Sequence, residues 1–187
     1  MILQKIFCIL FYKVVRKPFY SFIHNKLLLD GTKEAIFSSI GPYLTDYKVL
    51  DLFGGSGALS LESLSRGASF ATIIDNNPEA IDIIKQNART LGLFSKMNIL
   101  QGDYKTILTR FKDHDTFDLV FIDPPFRMKV IDEIITYLSD KKLVKIGGYI
   151  IAEYPKEDIV CKDYEGYEVH LCRRYSSSEV LILERVA

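Results

Sequence analysis

Short apolar runs alternate with segments of helical periodicity from residue 30 onward, and this alternation limits the possible folds more than any other feature of the chain. Strands that alternate with helices predict an α/β fold with a mostly parallel sheet. The 187 residues suffice for one such domain, and the hydrophobic residues, at 48%, suffice for its core. We therefore expect one α/β domain over residues 30–187. Residues 1–29 are expected to form a segment that packs on it.

Apolar spacing and turn residues locate the individual elements, with boundaries uncertain by about two to four residues. The predicted strands are Lys48–Phe53, Phe70–Asp75, Met97–Leu100, Phe117–Ile122, Tyr149–Glu153 (preceded by Gly147 and Gly148), Glu168–Cys172 and Glu179–Arg185. The predicted helices are one from Asp30 through Ile40, Ala58–Ser65, one that begins at Asn77 and Pro78 and includes Leu91, Tyr104–Phe111, and Val130–Leu138. We expect the last two strands to form a closing antiparallel pair.

The charge balance argues against a uniformly basic, nucleic-acid-coating protein, because the formal net charge is zero. Residues 1–40 nevertheless hold six basic and two acidic side chains. A basic end on an otherwise acidic chain indicates either a polyanionic partner or a solvated surface.

Cysteine and hydropathy patterns indicate neither a metal site nor a membrane protein. The three cysteines, Cys8, Cys161 and Cys172, lack the close spacing of a metal or redox motif, and the three histidines are scattered. The apolar run Met1–Tyr12 is shorter than the roughly 20 residues that a spanning helix needs. It also lacks the charge order of a signal peptide. We expect a cytoplasmic protein without metal or membrane.

A glycine turn follows the first core strand in the segment Asp51-Leu52-Phe53-Gly54-Gly55-Ser56-Gly57. Glycines let the backbone adopt positive φ and approach a ligand closely, and open α/β sheets bind ligands at this end of their strands. The dinucleotide pattern Gly-x-Gly-x-x-Gly is incomplete, because Ser60 stands at the third position. A carboxylate at Asp51 would repel a pyrophosphate and attract an ammonium. Charge therefore favours S-adenosylmethionine, which carries an ammonium and a sulfonium, over NAD.

Carboxylates also follow the next two strands. Asp75 can accept hydrogen bonds from both ribose hydroxyls, although a helix N-cap is its alternative role. Asp103 can accept a hydrogen bond from the adenine amino group. The predicted cofactor-binding residues are Asp51, Phe53, Gly55, Ser56, Gly57, Asp75, Asn76, Asp103 and Tyr104.

The motif Asp123-Pro124-Pro125-Phe126 follows a buried strand and is the predicted catalytic segment. Two prolines hold the backbone extended and remove two donors, which leaves carbonyl acceptors beside the Asp123 carboxylate. Such acceptors can hold the exocyclic amine of a planar base and free its lone pair for attack on a methyl group. Phe126 offers a face on which the base can stack. Asp-Pro-Pro also occurs in ordinary turns that end strands.

The stretch Asp51–Leu59, with Glu62, Leu64, Ser65, Arg66, Gly67 and Ala68 after it, resembles the RsmD-type 16S rRNA guanine-N2 methyltransferases. The segments Lys33–Phe37 and Phe121–Phe126 are similar to the same family. The resemblance covers residues 30–187. It implies a Rossmann-like class I methyltransferase fold with a seven-stranded sheet and helices on both faces. It also implies S-adenosylmethionine as cofactor and a guanine of small-subunit rRNA as substrate.

The chain departs from the family pattern before residue 30. Members usually carry an Arg-Pro-Thr segment where this chain reads Lys26-Leu27-Leu28-Leu29-Asp30. The departure affects the expected RNA-docking surface more than the expected chemistry. Near the C-terminus, Arg173 and Arg174 can reach phosphate or form a solvated turn.

Three alternatives to an rRNA guanine methyltransferase remain open. They are an adenine-N6 methyltransferase of DNA or RNA, a protein glutamine-N5 methyltransferase, and a binding module without catalysis. Glutamine enzymes usually have Asn where Asp123 stands, and DNA adenine enzymes usually carry an added recognition region. We expect a monomer that acts on 16S rRNA within an assembling small ribosomal subunit, with naked oligonucleotides as poor substrates.

Overall fold

The computed structural model describes residues 30–112, 114–125, 127–157, 163–175 and 178–187. The predicted N-terminal segment, residues 1–29, lies outside the described residues, as does Phe126. The helices are α1 (Asp30–Ser39), α2 (Ala58–Ser65), α3 (Pro78–Thr90), α4 (Tyr104–Leu108) and α5 (Ile131–Asp140), with a 3₁₀ turn at Phe94–Lys96. The strands are β1 (Lys48–Asp51), β2 (Phe70–Asp75), β3 (Met97–Gln101), β4 (Phe117–Ile122), β5 (Val144–Pro155), β6 (Tyr167–Arg174) and β7 (Ser178–Arg185).

The seven strands form one sheet in the order β3-β2-β1-β4-β5-β7-β6. Strands β1 to β5 pair in parallel. Strand β7 pairs antiparallel with β5 and β6, as predicted for the closing pair. The order reverses direction between β1 and β4, the kind of switch point at which open α/β sheets bind ligands. The predicted seven-stranded, mostly parallel sheet is confirmed.

Helices cover both faces of the sheet, because successive strand side chains point to opposite faces. Leu50, Val120 and Ile150 belong to a buried cluster with residues of α4 and α5. Val49, Leu119 and Ile151 belong to a second cluster, with residues of α1 and α2. Helix α3 packs through Ile81 and Ile84 on Ile73 of β2.

The predicted boundaries of β5 are wrong. The strand begins at Val144 rather than Tyr149, and Gly147 and Gly148 lie inside it. Its register against β4 shifts between Phe117 and Leu119, so β5 carries extra residues over this stretch. A Cβ on Gly148 would lie 2.9 Å from the Lys145 carbonyl oxygen, which explains the glycine there. Long-range pairing of this kind leaves no local pattern in a sequence.

Other boundaries shift by a few residues. Strand β1 ends at Asp51 rather than Phe53, because the chain turns there onto β2. Helix α4 ends at Leu108 rather than Phe111, and α5 runs two residues beyond the predicted Leu138. Leu91 caps α3 and is half-buried.

The described residues include neither a candidate membrane span nor a candidate metal site. No helix among them is long and apolar enough to cross a membrane. Within the same ranges, no group of three or more His, Cys, Asp or Glu side chains is placed to hold a metal ion. Cys172 is half-buried, and its thiol donates to Glu179 Oε1 at 3.2 Å.

Candidate functional site

A cavity of about 370 Å³ opens at the carboxyl ends of the parallel strands. Asp51 ends β1, Asp75 ends β2, and Asp123 directly follows β4. Because these strands are neighbours in the sheet, their terminal carboxylates meet in one cavity wall. The cavity therefore lies at the carboxyl ends of the strands, as the sequence predicted, and the strand order shows that this is also the switch point.

Most of the predicted site residues line this cavity. They are Asp51, Phe53, Gly55, Ser56, Asp75, Asn76, Asp103, Tyr104, Asp123 and Pro125. Gly57, at the N-cap of α2, and Pro124 are both buried. Neither residue lines the cavity. The predicted stacking residue Phe126 lies outside the described residues, so its role stays a prediction.

The glycine turn is built around a close approach to β2. The Gly54 N–H donates to the Ile74 carbonyl at 2.9 Å, and a Cβ on Gly54 would lie 2.3 Å from Ile73 Cγ2. Gly55 adopts φ +54° and Gly57 φ +80°, a region that disfavours other residues. Sequence reasoning assigned Gly55 and Gly57 but missed Gly54, whose lack of a side chain sets the position of the turn.

Asp75 holds the turn and the next loop together. One carboxylate oxygen accepts from the Gly55 N–H and the other from the Asn77 N–H, both at 2.8 Å. Asn77, not Asp75, caps α3, by accepting from the Glu79 N–H at 2.9 Å. Each carboxylate oxygen keeps a second lone pair, so a bound ribose can still donate to Asp75.

Asp51 is almost fully buried, with 2% of its surface exposed. The pKa of this carboxyl is raised from 3.8 to about 7, chiefly by burial and to a lesser extent by the nearby Asp123 and Asp75 charges. Hydrogen bonds from Ser60 Oγ, at 3.0 Å, and from the Phe53 backbone oppose the rise. A ligand cation bound beside Asp51 would favour the charged carboxylate and so oppose the rise in its pKa.

The wall near β3 combines a carboxylate with two aromatic rings. Asp103 is exposed and caps α4, accepting from the Lys105 and Thr106 N–H groups at 3.0 and 3.3 Å. The rings of Phe53 and Tyr104 pack with centroids 5.1 Å apart. Such a surface suits a flat apolar ligand with one polar edge.

The segment after β4 forms a turn at the cavity mouth. Asp123 is half-buried, and Pro125 is exposed. The carbonyl of Pro125 accepts from the Met128 N–H at 2.9 Å, so it is partly engaged within the protein. Asp123 and Pro125 are the residues of this segment that line the cavity.

Lys33 is the site residue that sequence reasoning missed most clearly. It lies on α1, is half-buried, and lines the cavity. It is the one basic side chain among the described lining residues, which also include four aspartates. The similarity of the Lys33–Phe37 helix to a family pattern marked this helix in the sequence. It did not predict that Lys33 lies in the cavity wall.

The arginine pair near the C-terminus lies on β6 rather than in a turn. Both arginines are exposed, and Arg174 Nε contacts Glu179 Oε2 at 3.1 Å. The alternative of a solvated turn is therefore wrong, because the edge strand continues through both residues.

Comparison with known proteins gives the family. Residues 28–184 match the family model described as conserved hypothetical protein 95. YlbH of Bacillus subtilis is 34% identical over 129 residues, which are 68% of this chain and 70% of the relative. The ribosomal RNA small subunit methyltransferase D of Escherichia coli is 33% identical, over 69% of this chain and 64% of the relative.

A solved structure extends the likeness to the whole domain. A conserved hypothetical protein of Streptococcus pyogenes superimposes with a TM-score of 0.77 at 31% identity, covering 82% of this chain and 94% of that one. The family match, the relatives and the shared fold agree with the glycine turn and the Asp-Pro-Pro segment in one cavity. This chain belongs to the RsmD-type family of rRNA methyltransferases.

Proposed function

We propose that this chain transfers a methyl group from S-adenosylmethionine to the exocyclic N2 amine of a guanine in 16S ribosomal RNA. The observation that carries the proposal is the single cavity that joins the aspartates after β1, β2 and β3 to the Asp123–Pro125 segment after β4. The methyltransferase named for the small ribosomal subunit in Escherichia coli supports the substrate class. Action on an assembling subunit, in the cytoplasm and as a monomer, stays a prediction.

The charges of the cavity fit S-adenosylmethionine better than a dinucleotide. Asp51 suits the ammonium, Asp75 the ribose hydroxyls and Asp103 the adenine amino group. Lys33 is the cavity residue suited to the methionine carboxylate. A pyrophosphate would face the same aspartates and be repelled.

S-adenosylmethionine supplies a methyl group on a sulfonium that leaves as a neutral thioether. The protein's part is to hold the amine of the base in line with that methyl carbon. The Asp123 carboxylate can accept a hydrogen bond from the amine and so favour a tetrahedral nitrogen with an available lone pair. As the nitrogen–carbon bond forms, the nitrogen loses a proton, to Asp123 or to water.

The test of this proposal uses purified protein, tritium-labelled S-adenosylmethionine and small-subunit particles that lack base methylation. Digested RNA is analysed as nucleosides. Label in N2-methylguanosine is expected. Label in N6-methyladenosine would keep the mechanism but replace the substrate, and label absent from RNA despite calorimetric cofactor binding would favour a non-catalytic module.

An Asp123→Ala variant tests the division of the cavity into cofactor and amine sites. We expect loss of turnover while the Kd for S-adenosylmethionine stays within about tenfold, because Asp123 acts on the amine rather than on the cofactor. Asp140→Ala, an exposed position at the end of α5, serves as the control. Loss of cofactor binding in Asp123→Ala would instead place Asp123 in the cofactor site.

A further inference from the structure

The residues Arg127, Met128 and Lys129, here called the mouth loop, join the Asp-Pro-Pro segment to α5 and are all exposed. Met128 is 39% exposed and lines the cavity. The two cations flank Met128 in the chain, so both lie next to a residue of the cavity wall.

The charges of the mouth loop are not used within the described part of the protein. Neither Arg127 nor Lys129 forms an ion pair with any residue the structure describes. Cations with no structural partner at the entrance of a cavity are available to a ligand.

The acidic side chains at the start of α5 are committed to other partners. Glu133 Oε1 lies 2.7 Å from Lys105 Nζ. Asp132 Oδ1 accepts from the hydroxyls of Tyr164 and Tyr154, at 2.6 and 3.1 Å. Both carboxylates therefore have partners other than Arg127 and Lys129 among the described residues.

The backbone of the mouth loop has a defined course. The hydrogen bond from the Met128 N–H to the Pro125 carbonyl closes its first turn. Lys129 has φ +46°, an uncommon conformation for a residue other than glycine, and such conformations concentrate at functional sites. A loop fixed in this way presents its cations without a large ordering cost on binding.

We propose that Arg127 and Lys129 bind backbone phosphates of the RNA on either side of the target nucleotide. This inference rests on the proposed function, because it assigns the RNA contacts of the same site. A base that is methylated on its exocyclic amine must leave its stack and enter the cavity. Phosphate contacts at the mouth would hold the flanking backbone in register while the acidic interior receives the cationic cofactor.

The experiment compares the wild-type protein with R127A, K129A and the double variant R127A/K129A on small-subunit particles. The matched control is K141A/K142A at the far end of α5, because both lysines are exposed and Lys142 also has a positive φ, +53°. We expect the double variant to raise KM about tenfold or more with kcat within about twofold. The slope of log binding constant against log salt should fall by about two, one for each lost phosphate contact.

Two further measurements are needed. Calorimetry gives the Kd for S-adenosylmethionine of each variant, and the charge-conserving variant R127K/K129R tests whether positive charge alone restores RNA binding. The Kd for S-adenosylmethionine is expected to stay within about twofold of the wild-type value. In R127K/K129R, which keeps both positive charges, KM should return most of the way to the wild-type value. An unchanged KM and salt slope in R127A/K129A would overturn the inference, and so would a weakened cofactor Kd. Failure of the wild-type protein to methylate any particle would instead overturn the proposed function.

Discussion

Asp51 is a carboxyl group whose surroundings favour its neutral form. It is buried, it has one side-chain hydrogen-bond donor in Ser60, and two other aspartates lie close enough to raise its pKa. A protein would not keep such a group for stability alone, because burial of an unpaired charge is costly. A cationic ligand bound beside Asp51 would favour its charged form.

The raised pKa of Asp51 predicts a pH dependence of stability. Between the ordinary pKa of 3.8 and the folded value of about 7, the folded state keeps a proton that the unfolded state has released. The free energy of unfolding should therefore fall as pH rises through this window, and the loss should be complete above about pH 7. Asp51→Asn should flatten this fall, by about 2–4 kcal/mol between pH 4.5 and 8.

Urea denaturation of the wild-type and Asp51→Asn proteins across this pH range measures the effect. Subtracting the two curves cancels the titration of all other groups, and Asp82→Asn on the exposed side of α3 is the control. Parallel curves for wild type and Asp51→Asn would show that Asp51 does not titrate in this window.

Lys33 can be tested with a ligand that lacks only the carboxylate. Lys33→Met should raise the Kd for S-adenosylmethionine about tenfold, since a hydrogen bond to a charged group contributes roughly 1.5–3 kcal/mol. The Kd for decarboxylated S-adenosylmethionine should change less than about twofold. Lys48→Met, at the opposite end of β1, should change neither value. Equal losses for both ligands would mean that Lys33 supports the cavity in some other way.

At the scale of elements, the glycine turn is held by three separate contacts. The Gly54 N–H bonds to β2, the Gly55 N–H bonds to Asp75, and Asn87 Nδ2 of α3 donates to the Ser56 carbonyl at 3.0 Å. Hydrogen bonds to strand β2 and helix α3 thus fix the position of the turn. This arrangement preorganises the cofactor wall before any ligand binds.

Substitution of two adjacent glycines separates steric fit from backbone conformation. Gly54→Ala should destabilise the fold by about 2–3 kcal/mol, because its Cβ would clash with the buried Ile73. Gly55→Ala should cost about 1–2 kcal/mol, from its positive φ alone, since no atom lies within 4 Å of the added Cβ.

Chemical denaturation in a double-mutant cycle checks the mechanism of the Gly54 effect. The cost of Gly54→Ala should be smaller in an Ile73→Ala background, where the clashing Cγ2 atom is gone. An unchanged cost in that background would assign the effect to backbone entropy instead.

The elements also show what could be predicted from the sequence. The strand ends that carry Asp51, Asp75 and Asp123 were predicted because each follows a continuous apolar run, and parallel strands bring such ends together. The contribution of Lys33 was missed because it depends on how α1 packs across the sheet. Local patterns do not encode such long-range packing, and the bulged register of β5 was missed for the same reason.

At the scale of the whole molecule, acidic and basic side chains balance in number but lie in different places. The formal net charge is zero, yet the cavity wall carries four aspartates and one lysine, while the exposed Arg127 and Lys129 flank the wall residue Met128 in the chain. Counterion release, the main source of affinity for bare nucleic acid, scales with the number of phosphates that a protein neutralises. Because the 24 basic residues of this chain are balanced by 24 acidic ones, its overall charge contributes little to the affinity for a flexible RNA.

We therefore expect a preformed ribonucleoprotein particle to be a better substrate than free RNA. In a particle the target nucleotide and its flanking phosphates are already ordered, so binding does not bear the entropy cost of folding the RNA. At equal salt, kcat/KM for small-subunit particles should exceed that for a short oligonucleotide of the same sequence by about 100-fold or more, a difference of roughly 3 kcal/mol. Initial rates with tritium-labelled cofactor over a range of substrate concentrations measure this ratio, with protein-free 16S rRNA as the intermediate case. Equal values of kcat/KM for the oligonucleotide and the particle would show that the described surface recognises the local RNA sequence by itself.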